Sequence, residues 1–316
     1  MTLRDTPLGP GAEFDAIREM LRRWGPRARG IGDDAALLDV PAGQQLAVST
    51  DSSVEDVHFR RGWLEPPEIG YRATVAALSD LAAVGATPLG LVCALAIPED
   101  WRAALHDLTD GVGEAASRYE TPIVGGNITR GAKLSLTVTV LGAVEHPLPR
   151  SGVRPGDVLY VTGTLGASGA ALDALVAGRA PSPAQRERFA RPIPRIAEAR
   201  WLATHGATAA IDVSDGLLAE LAHLAAASGV RLELDAARVP VAEGVARERA
   251  LRSGEEYELV VASRKLDAAA FVAAHGVALT PIGRATAPHG GGSPSVEIVG
   301  EGARVANERG HDHLSS

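Results

Sequence analysis

The sequence has little of several residues on which common functional sites are built. Its single cysteine, Cys93, excludes an intramolecular disulfide and any site that needs several thiolates. Cys93 falls in the apolar run Leu89 to Ile97, where it reads as a small buried hydrophobe rather than a nucleophile. Lysine is nearly absent: Lys133 and Lys265 are the full complement, and every other basic side chain is Arg. Neither lysine follows a G-x-x-x-x-G-K-[ST] turn, which excludes a Walker-A nucleotidase. Gly163, Gly166 and Gly169 are spaced three apart and do not match the G-x-G-x-x-G dinucleotide fingerprint. Aromatic residues make up only 4%, so a core must be built from Ala, Val, Leu and Ile. No stretch approaches the roughly 20 apolar residues of a membrane span. Met1 to Gly11 carries no apolar run of signal-peptide length, so a cytoplasmic protein is expected. A formal net charge of −8 argues against a broad nucleic-acid-binding surface.

What is present points to a large, turn-rich chain. Its 316 residues exceed a typical single domain, so two domains are expected, and 46% hydrophobic content supports a substantial core. The 35 glycines and 20 prolines imply many tight turns. Apolar runs predict strands near Gln45–Ser49, Leu89–Ile97, Pro122–Val124, Leu134–Val144, Asp157–Thr162, Ala209–Val213, Val230–Leu234, Tyr257–Ala262 and Leu279–Ile282. Helical spacing appears in Pro67–Val84, Trp101–Tyr119, Ala167–Val176, Ile193–His205, Gly216–Ala227 and Leu266–His275, with Gly229 as a C-cap. Leu134–Val144 and Asp157–Thr162 follow each other without a helix, which predicts an α/β chain of the α+β type with mixed sheets. The Pro/Gly/Arg stretch His146–Arg154 is the expected break, giving domains 1–145 and 150–316. The tail after Pro288 is Gly- and Ser-rich and poorly periodic.

Six segments could carry chemistry. Gly30-Ile31-Gly32-Asp33-Asp34 sets two carboxylates in a glycine-flanked turn able to face a cation. Ser49-Thr50-Asp51 places two hydroxyls and a carboxylate at an expected strand end, with His58 close behind. Asp80 lies among small apolar residues of a helix, where a carboxylate is costly unless paired or bound to metal. Gly125-Gly126-Asn127-Ile128-Thr129-Arg130-Gly131 reads as a hairpin or long turn whose N–H groups can face a phosphate. Asp212-Val213-Ser214-Asp215-Gly216 stands where a strand runs into a helix, as helix cap or as metal and anion site. Glu255-Glu256-Tyr257-Glu258 precedes a strand and reads first as a solvated acidic face.

Singly, each of these reads as well as a cap or turn. Together they share one style, Asp beside Ser, Thr or Gly, and hard oxygen ligands of this kind suit Mg²⁺ that bridges substrate phosphates. An acidic protein without a phosphate-binding lysine can hold ATP if the metal supplies the positive charge.

In this order and spacing, over Gly30 to about Arg284, the segments GDDAA, STD…VHF, LSDLAAVGA, GGN-TRG, RSGVRPGD, IDVSDGL and GEEYEL resemble those of thiamine-monophosphate kinases. That family belongs with aminoimidazole ribonucleotide synthetase and selenophosphate synthetase. The resemblance implies a two-domain fold in which the N-terminal domains of two protomers pair into a β-barrel, with ATP near that interface. It implies a homodimeric enzyme that transfers the γ-phosphate of ATP to thiamine monophosphate. Carried over by position, Asp34, Ser49, Thr50, Asp51, Asp80, Asn127, Asp212 and Asp215 would hold several Mg²⁺ ions. Gly126, Asn127, Arg150 and Ser214 would contact ATP, and His58 and Glu255 the thiamine substrate. No general base is implied, because the acceptor is already a phosphate anion.

Several positions depart from the family pattern. Asn127 stands where an Asp is usual, and Ile128 where a Thr is. Ser253 and Glu256 replace the Gly and Asp of the usual GGEDYEL. His311 and Leu314 stand where Tyr and Phe are common. Asn127 and the missing aromatics feed a competing reading, a non-catalytic nucleotide-binding relic serving as a sensor or scaffold. Another ATP-dependent enzyme of the same superfamily is a further alternative. The lone mid-strand Cys93 disfavours a selenophosphate synthetase, and the VHF and SDGL contexts fit an aminoimidazole ribonucleotide synthetase less well.

Overall fold

The structure is a computed structural model describing residues 11–32, 34–288, 293–299 and 304–305. The chain divides into two units, Met1–Leu81 with Thr87–Glu145, and Ala82–Ala86 with His146–Ser316.

In chain order the first unit carries α1 (Ala12–Trp24), β1 (Gln45–Val54), α2 (Pro66–Ala83), β2 (Thr87–Ile97), α3 (Leu105–Arg118), β3 (Ile123–Arg130) and β4 (Ser135–Val144). The last two residues of α2 fall in the second unit. Its four strands run in the order β1-β4-β2-β3, with β2 and β3 parallel and the other neighbours antiparallel. Helix α2 is rich in apolar residues, and Tyr71, Val75, Ala77 and Leu78 are fully buried. It meets α3 backbone to backbone. A Cβ at Gly70 would collide with the Leu108 carbonyl, and one at Gly111 with that of Pro67. One sheet face buries Leu136, Val138 and Val140, whereas Leu46 and Val48 of β1 lie on the other, exposed. Cys93 is half-buried on β2, and enclosure of its thiol pushes the pKa up to about 12, in keeping with a packing role.

The second unit carries β5 (Val158–Thr162), α4 (Ala167–Val176), α5 (Pro183–Ala190), α6 (Ile196–Thr204), β6 (Ala207–Asp212), α7 (Leu217–Ser228) and β7 (Arg231–Asp235). It continues with α8 (Arg247–Leu251), β8 (Leu259–Ser263), α9 (Ala268–His275), β9 (Leu279–Thr286), β10 (Ser295–Val299) and β11 (Arg304–Val305). The mixed sheet runs β11-β10-β7-β9-β5-β8-β6. Leu159, Val161, Ile211, Leu221, Leu224, Val260 and Ile282 lie in its core. Each such side chain contributes on the order of 1.5–3 kcal/mol by leaving water.

Three local expectations give way. Ser49, Thr50 and Asp51 do not end a strand, because β1 runs on to Val54. Facing hydroxyls replace apolar contacts there, Thr50 with Thr139 at 3.0 Å and Ser52 with Thr137 at 2.8 Å. Gly125 to Arg130 is no turn but edge strand β3, paired with β2 from Leu91–Ile123 to Ile97–Arg130. The tail after Pro288 contributes β10, a parallel partner of β7. Helices α1 and α5 add to the sequence reading. Ser182 and Gln185 close a capping box on α5.

Candidate active-site clusters

In the first unit, alternation along β1 sends Ser49 and Asp51 to one face and Thr50 to the other. Ser49 Oγ donates to Asp80 Oδ2 over 2.6 Å, so Ser49, Asp51 and Asp80 gather where β1 meets α2. Asp51 Oδ1 accepts from the Ser52 N–H at 2.7 Å. Thr50 instead shares the open face with Asn127, whose register runs through Ala94 and Thr137 to Ser52. Strands β1 and β3 are opposite edges of the sheet, so Asn127 stands three strand spacings from β1, roughly 14 Å. Gly126 precedes it on β3, and both are exposed. Asp34 is exposed in a bend, while its neighbour Asp33 lies outside the described residues, as do His311 and Leu314.

His58 sits in a turn built with unusual care. Its Nδ1 accepts from the Val54 N–H at 3.1 Å, which leaves the ring proton on Nε2. The turn passes through Asp56 at φ 67, a left-handed conformation rare for a non-glycine residue. Glu55 anchors it: its N–H donates to the Leu134 carbonyl at 2.9 Å, and its Oε2 accepts from Trp101 Nε1 at 3.0 Å. Arg61 lies 4.4 Å over the Trp101 ring and pairs with Asp100 at 2.7 Å.

In the second unit, β6 delivers Asp212, 3% exposed, to the turn Ser214-Asp215-Gly216 that opens α7. Gly216 takes φ 107, and a Cβ there would come 2.9 Å from the Arg252 carbonyl carbon. The turn at 253–258 docks on it. Glu255 N–H donates to the Ser214 carbonyl at 2.6 Å, and the Glu256 and Tyr257 N–H groups both donate to that of Val213 at 3.0 Å. The structure therefore brings Asp212, Ser214, Asp215 and Glu255 together. Arg150 starts a short 3-10 turn at the other end of these elements: its carbonyl accepts from Ser228 Oγ, at the end of α7, at 2.8 Å, and a Cβ at Gly152 would collide with the Thr208 carbonyl near the start of β6, while the Arg150 charge acts on Glu220.

Two features escaped the sequence reading. Glu220, in the first turn of α7, is 2% exposed, and its Oε1 accepts from Asp215 N–H at 2.9 Å and Ser214 Oγ at 3.3 Å. Burial pushes its carboxyl pKa upward and the nearby Asp215 charge adds to this, while the Asp215 N–H, His223 and Arg150 oppose it. The acidic run 255–258 is not a solvated face: Glu256 and Glu258 are buried. Glu258 meets Arg195 Nε at 2.7 Å and Thr162 Oγ1 at 2.6 Å, and pairs with Arg188 as well. Capping-box spacing and i, i+3 patterns give no signal for either, because their partners come from turn geometry and from distant sequence.

Among the described residues no group of three or more His, Cys, Asp or Glu side chains is arranged to hold a metal by itself. The acidic clusters combine carboxylates with hydroxyl neighbours, Ser49 in the first unit and Ser214 in the second. That donor set suits Mg²⁺, which retains waters and takes further ligands from substrate phosphates.

Residues 32–144 match the N-terminal domain, and residues 154–293 the C-terminal domain, of the AIR synthase related proteins. The thiamine-monophosphate kinase of Escherichia coli K12 is 38% identical over 306 residues, covering 91% of this chain and 92% of the relative. The chain belongs to the thiamine-monophosphate kinase family. A crystal structure of the family enzyme from Stenotrophomonas maltophilia K279a superposes with a TM-score of 0.80 at 36% identity, covering 91% of this chain and 96% of that one. A structure described as AaThiL complexed with AMPPCP and TMP gives a TM-score of 0.77 at 30% identity and covers 96% of each chain. No described helix is long and apolar enough to cross a membrane.

Proposed function

We propose that this chain phosphorylates thiamine monophosphate at the expense of ATP, giving thiamine diphosphate. The observation that carries this reading is likeness along nearly the whole chain to a family member in complex with an ATP analogue and TMP. The acidic, hydroxyl-bearing clusters at β1–α2 and β6–α7 support it independently, since phosphoryl transfer asks mainly for positioning and charge neutralisation.

In this reading residues 1–145 form the ATP- and Mg²⁺-binding and dimerisation domain, and 150–316 the C-terminal domain. Asp34, Ser49, Thr50, Asp51, Asp80, Asn127, Asp212 and Asp215 supply oxygen ligands for Mg²⁺. Bound there, Mg²⁺ would neutralise phosphate charge and relieve repulsion between the two anionic substrates. Gly126, Asn127, Arg150 and Ser214 bind ATP. His58, held in its turn by the Val54 N–H at Nδ1, contacts the thiamine substrate, and Glu255 adds a carboxylate. No side chain need take a proton from the acceptor phosphate. Two chains pair through the open sheet face, where Leu46 and Val48 are 50% and 57% exposed in the single chain. The cytoplasm, where ATP is abundant, is the setting this chemistry requires.

The test is product formation by the purified protein with ATP, thiamine monophosphate and Mg²⁺, with chelator as control. Chelator-sensitive thiamine diphosphate is the expected result. ATP binding without turnover would instead favour the relic reading.

A further inference from the structure

The turn that presents Glu255 is strained and is anchored on both sides. Glu255 and Tyr257 adopt φ 57 and φ 53, a region that side-chain-bearing residues enter only where the surroundings over-determine it. Between them Glu256 is wholly buried. Its Oε1 accepts from the N–H groups of Gly166 at 2.9 Å and Ser168 at 3.1 Å, and from Ser253 Oγ. Ser253 Oγ in turn accepts from Gly169 N–H at 2.9 Å. Three donors at the start of α4, the N–H groups of Gly166, Ser168 and Gly169, are thus taken by two side chains of the Glu255 turn rather than left for a ligand anion. The Glu256 carbonyl is held by Arg188 Nη2 at 2.7 Å, and a Cβ at Gly254 would come 2.6 Å from the Ser214 carbonyl. The turn is clamped between α4 and the Ser214 loop with almost no room to shift.

Ser253 and Glu256 are also the two positions of this segment that depart from the family's Gly and Asp, and here they touch. We propose that they form one linked positioning unit: the longer carboxylate and the added hydroxyl together hold the strained turn and set the direction of Glu255. Shortening Glu256 alone draws its carboxylate back from Gly166 and Ser168. Removing the Ser253 hydroxyl alone leaves Gly169 N–H to the Glu256 carboxylate alone and takes one donor from that carboxylate. Changing both lets a shorter carboxylate approach the vacated Gly169 N–H. Neither residue touches substrate; both act through Glu255, so the inference rests on the kinase reading for what Glu255 contacts.

The experiment compares wild type, Ser253→Gly, Glu256→Asp and the double variant, measuring KM for thiamine monophosphate and kcat at saturating ATP, with melting temperatures alongside. Each single change is expected to raise KM about tenfold with kcat altered less than about threefold, the signature of misplaced substrate binding. The double variant is expected to return KM to within about threefold of wild type. Singles that melt lower but keep wild-type KM would reduce the pair to a structural role and overturn the positioning claim. A double variant whose KM and melting temperature equal the combined effects of the singles would overturn the linkage. A folded but inactive wild type would sink the kinase reading and the role of Glu255 with it. Non-additive melting would still support the linkage in that case, and additive melting would overturn it.

Discussion

Ser49 of β1 and Asp80 of α2 are joined by a 2.6 Å hydrogen bond across elements 31 residues apart in sequence. The bond orients a half-buried carboxylate toward the strand face that also carries Asp51, which gives Asp80 a structural partner and, in the proposed reading, a place in the metal site. The two roles separate in a substitution that keeps the hydrogen bond and removes the charge.

Asp80→Asn retains an acceptor for Ser49 and should leave the melting temperature nearly unchanged. Kinase activity should fall roughly hundredfold or more, the usual scale for losing one electrostatic contribution to a charged transition state. Activity and melting measured on the same preparation check this. A parallel loss of both would assign Asp80 to stability.

Asn127 is exposed on edge strand β3, so exchanging its amide for a carboxylate disturbs no packing. Asn127→Asp should lower the Mg²⁺ concentration for half-maximal activity, since a charged oxygen binds the ion better than an amide oxygen. The check is a Mg²⁺ titration of both proteins at fixed ATP. An unchanged midpoint would remove Asn127 from the metal site.

Glu220 holds the Ser214–Asp215 turn through Asp215 N–H and Ser214 Oγ. Glu220→Ala leaves those donors unpaired at a part-buried junction, at a cost of about 1–3 kcal/mol. For a domain of this size each kcal/mol lowers the melting temperature by about 2–4 °C. Activity should drop as well, because Ser214 and Asp215 lose their fixed positions. Calorimetry with steady-state kinetics reads both effects, and Glu220→Gln, which keeps the acceptor oxygen, should recover most of the stability.

What could be read from the sequence was what is local. The junction Asp212-Val213-Ser214-Asp215-Gly216 was legible because an apolar strand, a turn and an amphipathic helix succeed one another within a few residues. So was Gly229, which caps α7 in the left-handed conformation. Strand β3 was not legible: Gly125-Gly126-Asn127 has no strand composition, and its conformation comes from pairing with β2, more than 30 residues away. The extension of β1 through Ser52 was hidden likewise, since the hydroxyls that stabilise it face Thr137 and Thr139 of β4. Glu256 and Glu258 looked solvated because an acidic run carries no mark of the α4 amides and the arginines of α5 and residue 195 that receive it. The acidic residues of the candidate site stand out in their own turns, and their roles come from resemblance. Their supports, Glu220, Ser253 and Glu256, needed coordinates.

The most direct test is a single assay: purified protein, ATP and thiamine monophosphate, with Mg²⁺ varied from chelated to saturating and thiamine diphosphate quantified. Thiamine diphosphate that forms in proportion to enzyme, rises with Mg²⁺ and vanishes on chelation is the predicted result. A folded protein that binds ATP yet forms no thiamine diphosphate at saturating Mg²⁺ would contradict the account.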